Sequence, residues 1–248
     1  MAKTSGLGQE IYVHGYDLSG DVSALDSVGS PREQIEVTAI NKSARERING
    51  LSDGTITINS WFNDAAGQEH AALSTLPTTD RIITWAAGGS IGDAAYSLNA
   101  KQVNYDGSRG TDGSLAFVVN AVGNGVAPDW CENLTAGSAT HSSAGSSTSR
   151  DDSAATSAGL VGYLQIVSIG SGTPTVTIQQ SSDNGSGDAW ATVLSFSAVA
   201  DGAEPTAERV TVSGAVERYL RVTTTGTFTN ATFIVTTRRG TSEDDVTL

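Results

Sequence analysis

The sequence predicts a mainly β protein in two parts: an N-terminal two-sheet β-sandwich or barrel with one flanking α-helix, then a C-terminal antiparallel β-sandwich. Three observations predict it. Alternating apolar and polar runs recur roughly every ten to fifteen residues, with Gly, Asn, Asp and Pro between them. The composition is that of strands and turns, with 28 Gly, abundant Ser, Thr and Ala, and only 17% charged residues. A low-complexity break near residue 140 divides a chain of 248 residues, long enough for two domains.

Residues 1–33 are polar and turn-rich, and their one apolar patch is Ile11, Tyr12 and Val13. Such an arm has little to bury by itself, so it is expected to become ordered against a neighbouring subunit, with those three residues and Arg32 as candidate contacts. Asp17, Asp21 and Asp26 are not spaced like calcium ligands. A first strand from Gln34 sets Ile35, Val37 and Ala39 on one face, with Glu36 and Thr38 facing solvent. The loop 41–49 is locally basic; Lys42, Arg45, Glu46 and Arg47 are candidate contacts with an acidic neighbour.

The Asp53-Gly54 turn leads into a half-buried strand, with Ile56, Ile58 and Ser60 inward and Thr55, Thr57 and Asn59 facing solvent. Asn63 and Asp64 offer caps for a helix of roughly three turns that Pro77 stops. Its narrow stripe, Ala65, Ala66, Ala72, Leu73 and Leu76, suits a helix lying on a sheet. Further strands are expected at 81–86, 95–104 and 115–122, with turns at Gly88-Gly89 and Asp106-Gly107.

Residues 136–158 hold almost no large apolar side chain and read as a Ser/Gly-rich linker. Six strand-like runs between 159 and 241 give the second sandwich, and 242–248 form an acidic tail. Trp190 is a candidate surface ligand contact, and 183–188 read as a Gly-rich hairpin turn rather than a calcium loop.

Charge and chemistry narrow the function. Lys and Arg number 14 against 27 Asp and Glu, a net −13, which disfavours duplex binding. The single Cys131 excludes an intrachain disulfide and a multi-cysteine zinc site. His14, His70 and His141 lack metal spacing, and His141, Ser142 and Asp151 have no scaffold to make them a triad. No catalytic residue, metal ligand or cofactor is expected. With no secretory or membrane-spanning run, the chain reads as made in the cytoplasm, reaching any exterior role through assembly and cell lysis.

The order of features in the first 135 residues resembles the major tail (tail tube) proteins of long-tailed, siphovirus-like bacteriophages. Tyr16 to Val22 after a Gly-rich arm, Glu36-Val37-Thr38, Gly50 to Gly54 leading into Trp61 to Asp64, Glu69 to Leu73, and Asp80 to Thr84 carry it. The resemblance implies a structural virion protein whose six copies form a ring. Rings stack into a tube, and DNA passes through without being held. It implies contacts with the tape measure, tail terminator and distal tail proteins. It makes 1–135 the tube domain and 159–241 a surface-displayed decoration domain with a host surface glycan as candidate partner. It makes Glu36, Thr38, Thr55, Thr57 and Asn59 candidates for the lumen. Residues 1–135 hold 8 Lys or Arg and 16 Asp or Glu, a net −8, which suits a wall that repels phosphate. The alternative is a two-module carbohydrate-binding or adhesin-like protein.

Overall fold

Strand Thr55–Trp61 buries Ile56, Ile58 and Ser60 and turns Thr55, Thr57 and Asn59 outward, the period its sequence carries. Around it the computed structural model, which describes residues 5–241, builds twenty strands and one short helix. The first half holds β1 (Glu10–Val13), β2 (Tyr16–Asp17), β3 (Val22–Gly29), β4 (Arg32–Glu36), β5 (Arg47–Ser52) and β6 (Thr55–Trp61). Then come α1 (Glu69–Leu73), β7 (Arg81–Ala86), β8 (Ala94–Gln102), β9 (Asp106–Arg109), β10 (Leu115–Gly123) and β11 (Asp129–Asn133). Three short strands follow, β12 (Ala139–His141), β13 (Gly145–Ser146) and β14 (Arg150–Asp151). The last are β15 (Leu160–Gly172), β16 (Thr175–Ser181), β17 (Ala191–Ser195), β18 (Thr206–Val212), β19 (Tyr219–Thr225) and β20 (Phe228–Arg239).

Thirteen strands share one sheet, whose main path is β18-β15-β20-β11-β8-β10-β6-β3. All its pairings are antiparallel. β7 takes one edge of β8 and passes to β1, while the other edge of β8 is shared by β11 and β10. A second, five-stranded sheet runs β13-β19-β16-β17 with β14 also on β19, and β4 and β5 stand apart as a two-stranded ribbon.

Three apolar cores result. The first lies under β6, β8 and β10, with Ile58, Leu98 and Val119 packed against Leu73 of α1. The second fills the expected C-terminal sandwich, with Leu164 and Phe233 on one sheet facing Ile178 and Val222 on the other. The third joins the halves: Tyr12, Ile82 and Cys131 pack with Val161, Tyr163 and Ile234.

Four expectations are corrected. The helix is five residues long, not three turns, because Gly67 adopts φ 77 and begins it late. The 10–13 segment of the expected arm is a buried strand on β7, and Gly15 (φ 88) turns the chain where any side chain would collide with the backbone of Ile166 and Thr206. The strand from Gln34 lies outside the main sheets, in the ribbon.

The 136–158 stretch is not a loose tether. β12 pairs with β20, while β13 and β14 pair with β19. Composition counts side chains that bury area; here the ordering is supported by backbone hydrogen bonds to open strand edges. Side chains reinforce them: Arg150 is ion-paired to Glu132 and Asp152, Arg218 to Asp151, and His141 is stacked on Phe233 at 4.5 Å. The sheet therefore runs on through β11 and β20 across the expected domain boundary. The acidic tail at 242–248 lies outside the described residues.

Candidate assembly surfaces

The β4–β5 ribbon is the distal part of a longer hairpin. β3 and β6 pair within the main sheet, the chain breaks at Ser30-Pro31 and Asp53-Gly54, and β4 and β5 pair again beyond it. Ile35 lies opposite Ile48, and alternation sets Val37 on the same side. The other side carries polar pairs: Gln34 donates to Asn49 (2.6 Å), and Glu36 lies opposite Arg47. At the tip, Lys42 pairs with Glu46 at 2.9 Å and Arg45 with Glu36 at 3.7 Å. Such exposed pairs contribute little stability, about 0–1 kcal/mol each. Every residue of β4 is exposed; Ile48 is 54% and Leu51 87% exposed, and Ile40 projects fully into solvent. Arg32, Lys42, Arg45, Glu46 and Arg47 thus all lie on a projecting ribbon with an uncovered apolar side.

The outward face of β3, β6 and β10 mixes Thr55, Thr57, Asn59 and Asn120 with Val118 and Val122, and its polar groups are knitted together. Asn59 donates to Asp26 (2.7 Å) and Thr57 to Asn120 (2.8 Å), and Asn104 in turn accepts from the Asn120 backbone (2.7 Å). Thr55, Thr57 and Asn59 share this face, whereas Glu36 and Thr38 belong to the ribbon. Beneath it, Glu69 is fully buried yet satisfied: it accepts from Ser60 and Tyr105, both at 2.9 Å, and its backbone N–H is capped by Asp21 at 3.0 Å. Burial, then the Glu69 hydrogen bond, pushes the Tyr105 phenol well above its ordinary pKa.

Other candidates are placed differently. Ile11, Tyr12 and Val13 are at most 3% exposed, so within this fold they serve the monomer core rather than a neighbour. Trp190 sits under the Arg221 guanidinium at 4.3 Å, and its indole closes on Gly185; the ring anchors the 183–188 turn. Asp183 there accepts from the backbone N–H groups of Ser186, Gly187 and Asp188, as a tight turn requires. Among the described residues, no group of three or more His, Cys, Asp or Glu side chains converges as a metal site needs.

Sequence reasoning missed the polar junction between the halves. Asp129 of β11, 2% exposed, accepts from Arg238 Nε at 2.5 Å and from the Tyr163 hydroxyl, with Arg209 at 3.8 Å. Gln165 Oε1 accepts from Gly15 N–H at 2.6 Å, while its amide donates to Ile82 O and Thr84 Oγ1, both at 3.1 Å. A residue pattern with polar groups inward gives no amphipathic signal.

Residues 16–127 match the family model described as phage tail tube, TTP, lambda-like. Over these 112 of the chain's 248 residues it is similar to lambda-like phage tail tube proteins. The chain is accordingly a structural protein of a phage tail, and its place is the virion tail. Among solved structures, it is similar to a chain in the virion of a native gene transfer agent particle. That match has 14% identity and a TM-score of 0.43, over 52% of this chain and 98% of the other. A chain in the tail of an empty gene transfer agent particle with C6 symmetry gives 15%, 0.40, 52% and 98%. The SPP1 Dit protein, from a hub adsorption apparatus, gives 13% and 0.34 over 93% of this chain and 98% of its own. No curated protein matches the sequence.

The stretch so matched contains the ribbon, the β3–β6–β10 face and α1, and it ends just before β11. β1 lies before the match and β11 after it; both border the junction with the C-terminal sandwich.

Proposed function

We propose that this chain polymerises into the wall of the tail tube, as stacked rings of six copies that conduct DNA during ejection. The observation that carries the reading is the 32–52 ribbon. A two-stranded ribbon alone in water is marginal at best, and this one keeps Ile35, Val37 and Ile48 uncovered, so a neighbouring copy is its natural cover. The ring number is the one the resemblance implies. The β3–β6–β10 face, with Thr55, Thr57, Asn59 and Asp26, lines the lumen in this reading. Amides, hydroxyls and the apolar Val118 and Val122, with scattered carboxylates, offer phosphate no counter-charge, so DNA passes without binding.

The 159–241 sandwich forms the outer layer of the tube, where it is available to a host surface glycan, and the tube ends meet the tape measure, terminator and distal tail proteins. Electron microscopy of the purified chain tests the assembly: regular hollow tubes support it, and dispersed monomers at high concentration count against it. Retention of duplex DNA on immobilised tubes at physiological salt would overturn the conduit surface.

A further inference from the structure

Trp130 is 52% exposed, although it stands in β11 at the junction of the two halves. Its indole is held in place by Tyr96 at 5.0 Å, its partner across the ladder, and by Trp85 at 6.3 Å. These rings meet it at steep angles, 60° and 88°, so neither lies flat against it. An indole fixed in this way gives a ligand a stacking surface at little ordering cost.

The ring forms one wall of a cavity of about 420 Å3, within the range of small-molecule sites, about 300–1,000 Å3. The other walls come from both halves: Glu132 from β11, Arg150 and Asp152 from the Ser-rich stretch, and Arg239 from the end of β20. The charges that line it balance, with Arg150, Arg238 and Arg239 against Glu132, Asp151 and Asp152. A balanced lining gives neither an anion nor a cation a net attraction, and it suits an uncharged ligand rich in hydroxyls.

Glu132 and Arg150 supply the polar contacts. Arg150 Nε and Nη2 both donate to Glu132 Oε2, at 3.2 and 2.8 Å, and Nε also faces Asp152 at 3.2 Å. Among the described residues, Glu132 Oε1 and Arg150 Nη1 make no hydrogen bond. One open acceptor and one open donor on the same ion pair match two neighbouring hydroxyls, one donating and the other accepting. Trp130 and Glu132 lie two residues apart on one face of β11, about 7 Å along the strand, so a ring stacked on the indole turns its edge to the carboxylate.

We propose that this cavity binds a neutral saccharide: a pyranose stacks on Trp130 and places a vicinal diol on Glu132 and Arg150. The inference rests on the surface-glycan reading above and moves the contact from Trp190, whose ring Arg221 covers, to the junction.

Methyl β-glucoside, methyl β-galactoside and methyl α-mannoside are the probes, offered to the intact chain and read by ligand-observed saturation-transfer NMR. Saturable binding of at least one is expected, with a dissociation constant on the order of millimolar. Tetrahydropyran-2-methanol keeps the ring and lacks the diol, and it is expected to bind at least about tenfold more weakly. Trp130→Ala is expected to abolish binding and Trp130→Phe to restore part of it. Binding that survives Trp130→Ala in a folded chain overturns this site and leaves the surface-glycan reading standing; silence from all three probes removes both. A second measurement needs no variant. N-Bromosuccinimide oxidises exposed indoles, and Trp61, at 49% exposure, is the internal reference. A saturating probe is expected to slow oxidation of Trp130 several-fold and leave Trp61 unchanged, by mass spectrometry of the peptides. Equal protection of both, or none, overturns the site. Trp130 that resists oxidation in assembled tubes without sugar is covered by a neighbouring copy, and that result overturns it as well.

Discussion

The ribbon at 32–52 and the Ser-rich stretch at 137–158 exchange the roles their compositions suggest. The ribbon has Ile35, Val37, Ile40, Ile48 and Leu51, enough for an ordinary half-buried hairpin, and all five are exposed. The Ser-rich stretch has almost nothing to bury, yet it is laid along β19 and β20 by backbone pairing and ion pairs. Order in a β protein follows from which backbone edges lie within reach, and apolar content decides only what remains to be covered afterwards. In a subunit built to assemble, uncovered apolar area is the part of the core that another copy supplies.

The sharpest way to break this comparison is to cut the chain at Gly137. If 137–158 were a tether, residues 1–136 would fold unaided. Instead β15 and β20 leave, Tyr12, Ile82 and Cys131 lose their cover, and Asp129 loses Tyr163, Arg209 and Arg238. Several large side chains at about 1.5–3 kcal/mol each exceed much of a domain's net 5–15 kcal/mol. The fragment is expected to be insoluble or to lack a cooperative unfolding transition by calorimetry; a soluble fragment with a sharp transition restores the tether.

Limited trypsin digestion sharpens the same contrast with an intact chain. Lys42, Arg45 and Arg47 lie at the projecting tip, while Arg150 is ion-paired inside the Ser-rich stretch. Cleavage in 42–47 is expected at least about tenfold faster than at Arg150, since local opening governs access. Mass spectrometry of early fragments decides, and first cuts at Arg150 would reverse the assignment.

The strands of both sandwiches were legible because their alternation is clean: Ile56 and Ile58, Val176 and Ile178, Leu220 and Val222 are all buried on the expected face. What stayed hidden was where alternation inverts. β11 reads Asp129-Trp130-Cys131-Glu132-Asn133 and buries Asp129, Cys131 and Asn133 while exposing Trp130 and Glu132, so the strand joining the two halves mixes polar and apolar residues on both faces and carries no amphipathic signal. The fully buried Glu69 was hidden likewise, since its partners Ser60 and Tyr105 come from distant strands. The ribbon's residues were singled out for contact, but no local pattern tells an uncovered apolar face from a buried one. The face of Thr55, Thr57 and Asn59, proposed above to line the lumen, could be read only as outward.

Acid probes the junction on the covered side of the comparison. His14 sits in the turn between β1 and β2, where burial, then the neighbouring Arg81 charge, lowers its pKa from 6.5 to about 4. The folded value lies below the unfolded one, so the unfolded chain binds the extra proton between them. Stability is therefore fully present above pH 6.5 and falls as pH drops toward 4, by between about 1 and 3 kcal/mol. His14→Asn, which tolerates the positive φ of 50, is expected to flatten that slope in urea titrations. An unchanged slope would assign the acid sensitivity to other groups.

The smallest expected effect on the fold is also the clearest separation of the two regions. Arg32 and Ser52 are already partners at the root of the ribbon, so residues 33–51 can be replaced by an Asn-Gly turn without moving β3 or β6. Everything removed is exposed or pairs within the ribbon itself: the β4–β5 ladder, Gln34 with Asn49, Lys42 with Glu46 and Arg45 with Glu36. None of these side chains belongs to the three cores. The shortened chain is expected to melt within about 2 °C of the parent, the shift of well under 1 kcal/mol for a protein of this size, while its tubes disappear. A melting point lowered by about 5 °C or more would mean that the ribbon supports its own subunit. Tubes of normal length from the shortened chain would mean that the uncovered face of Ile35, Val37 and Ile48 is not what holds copies together.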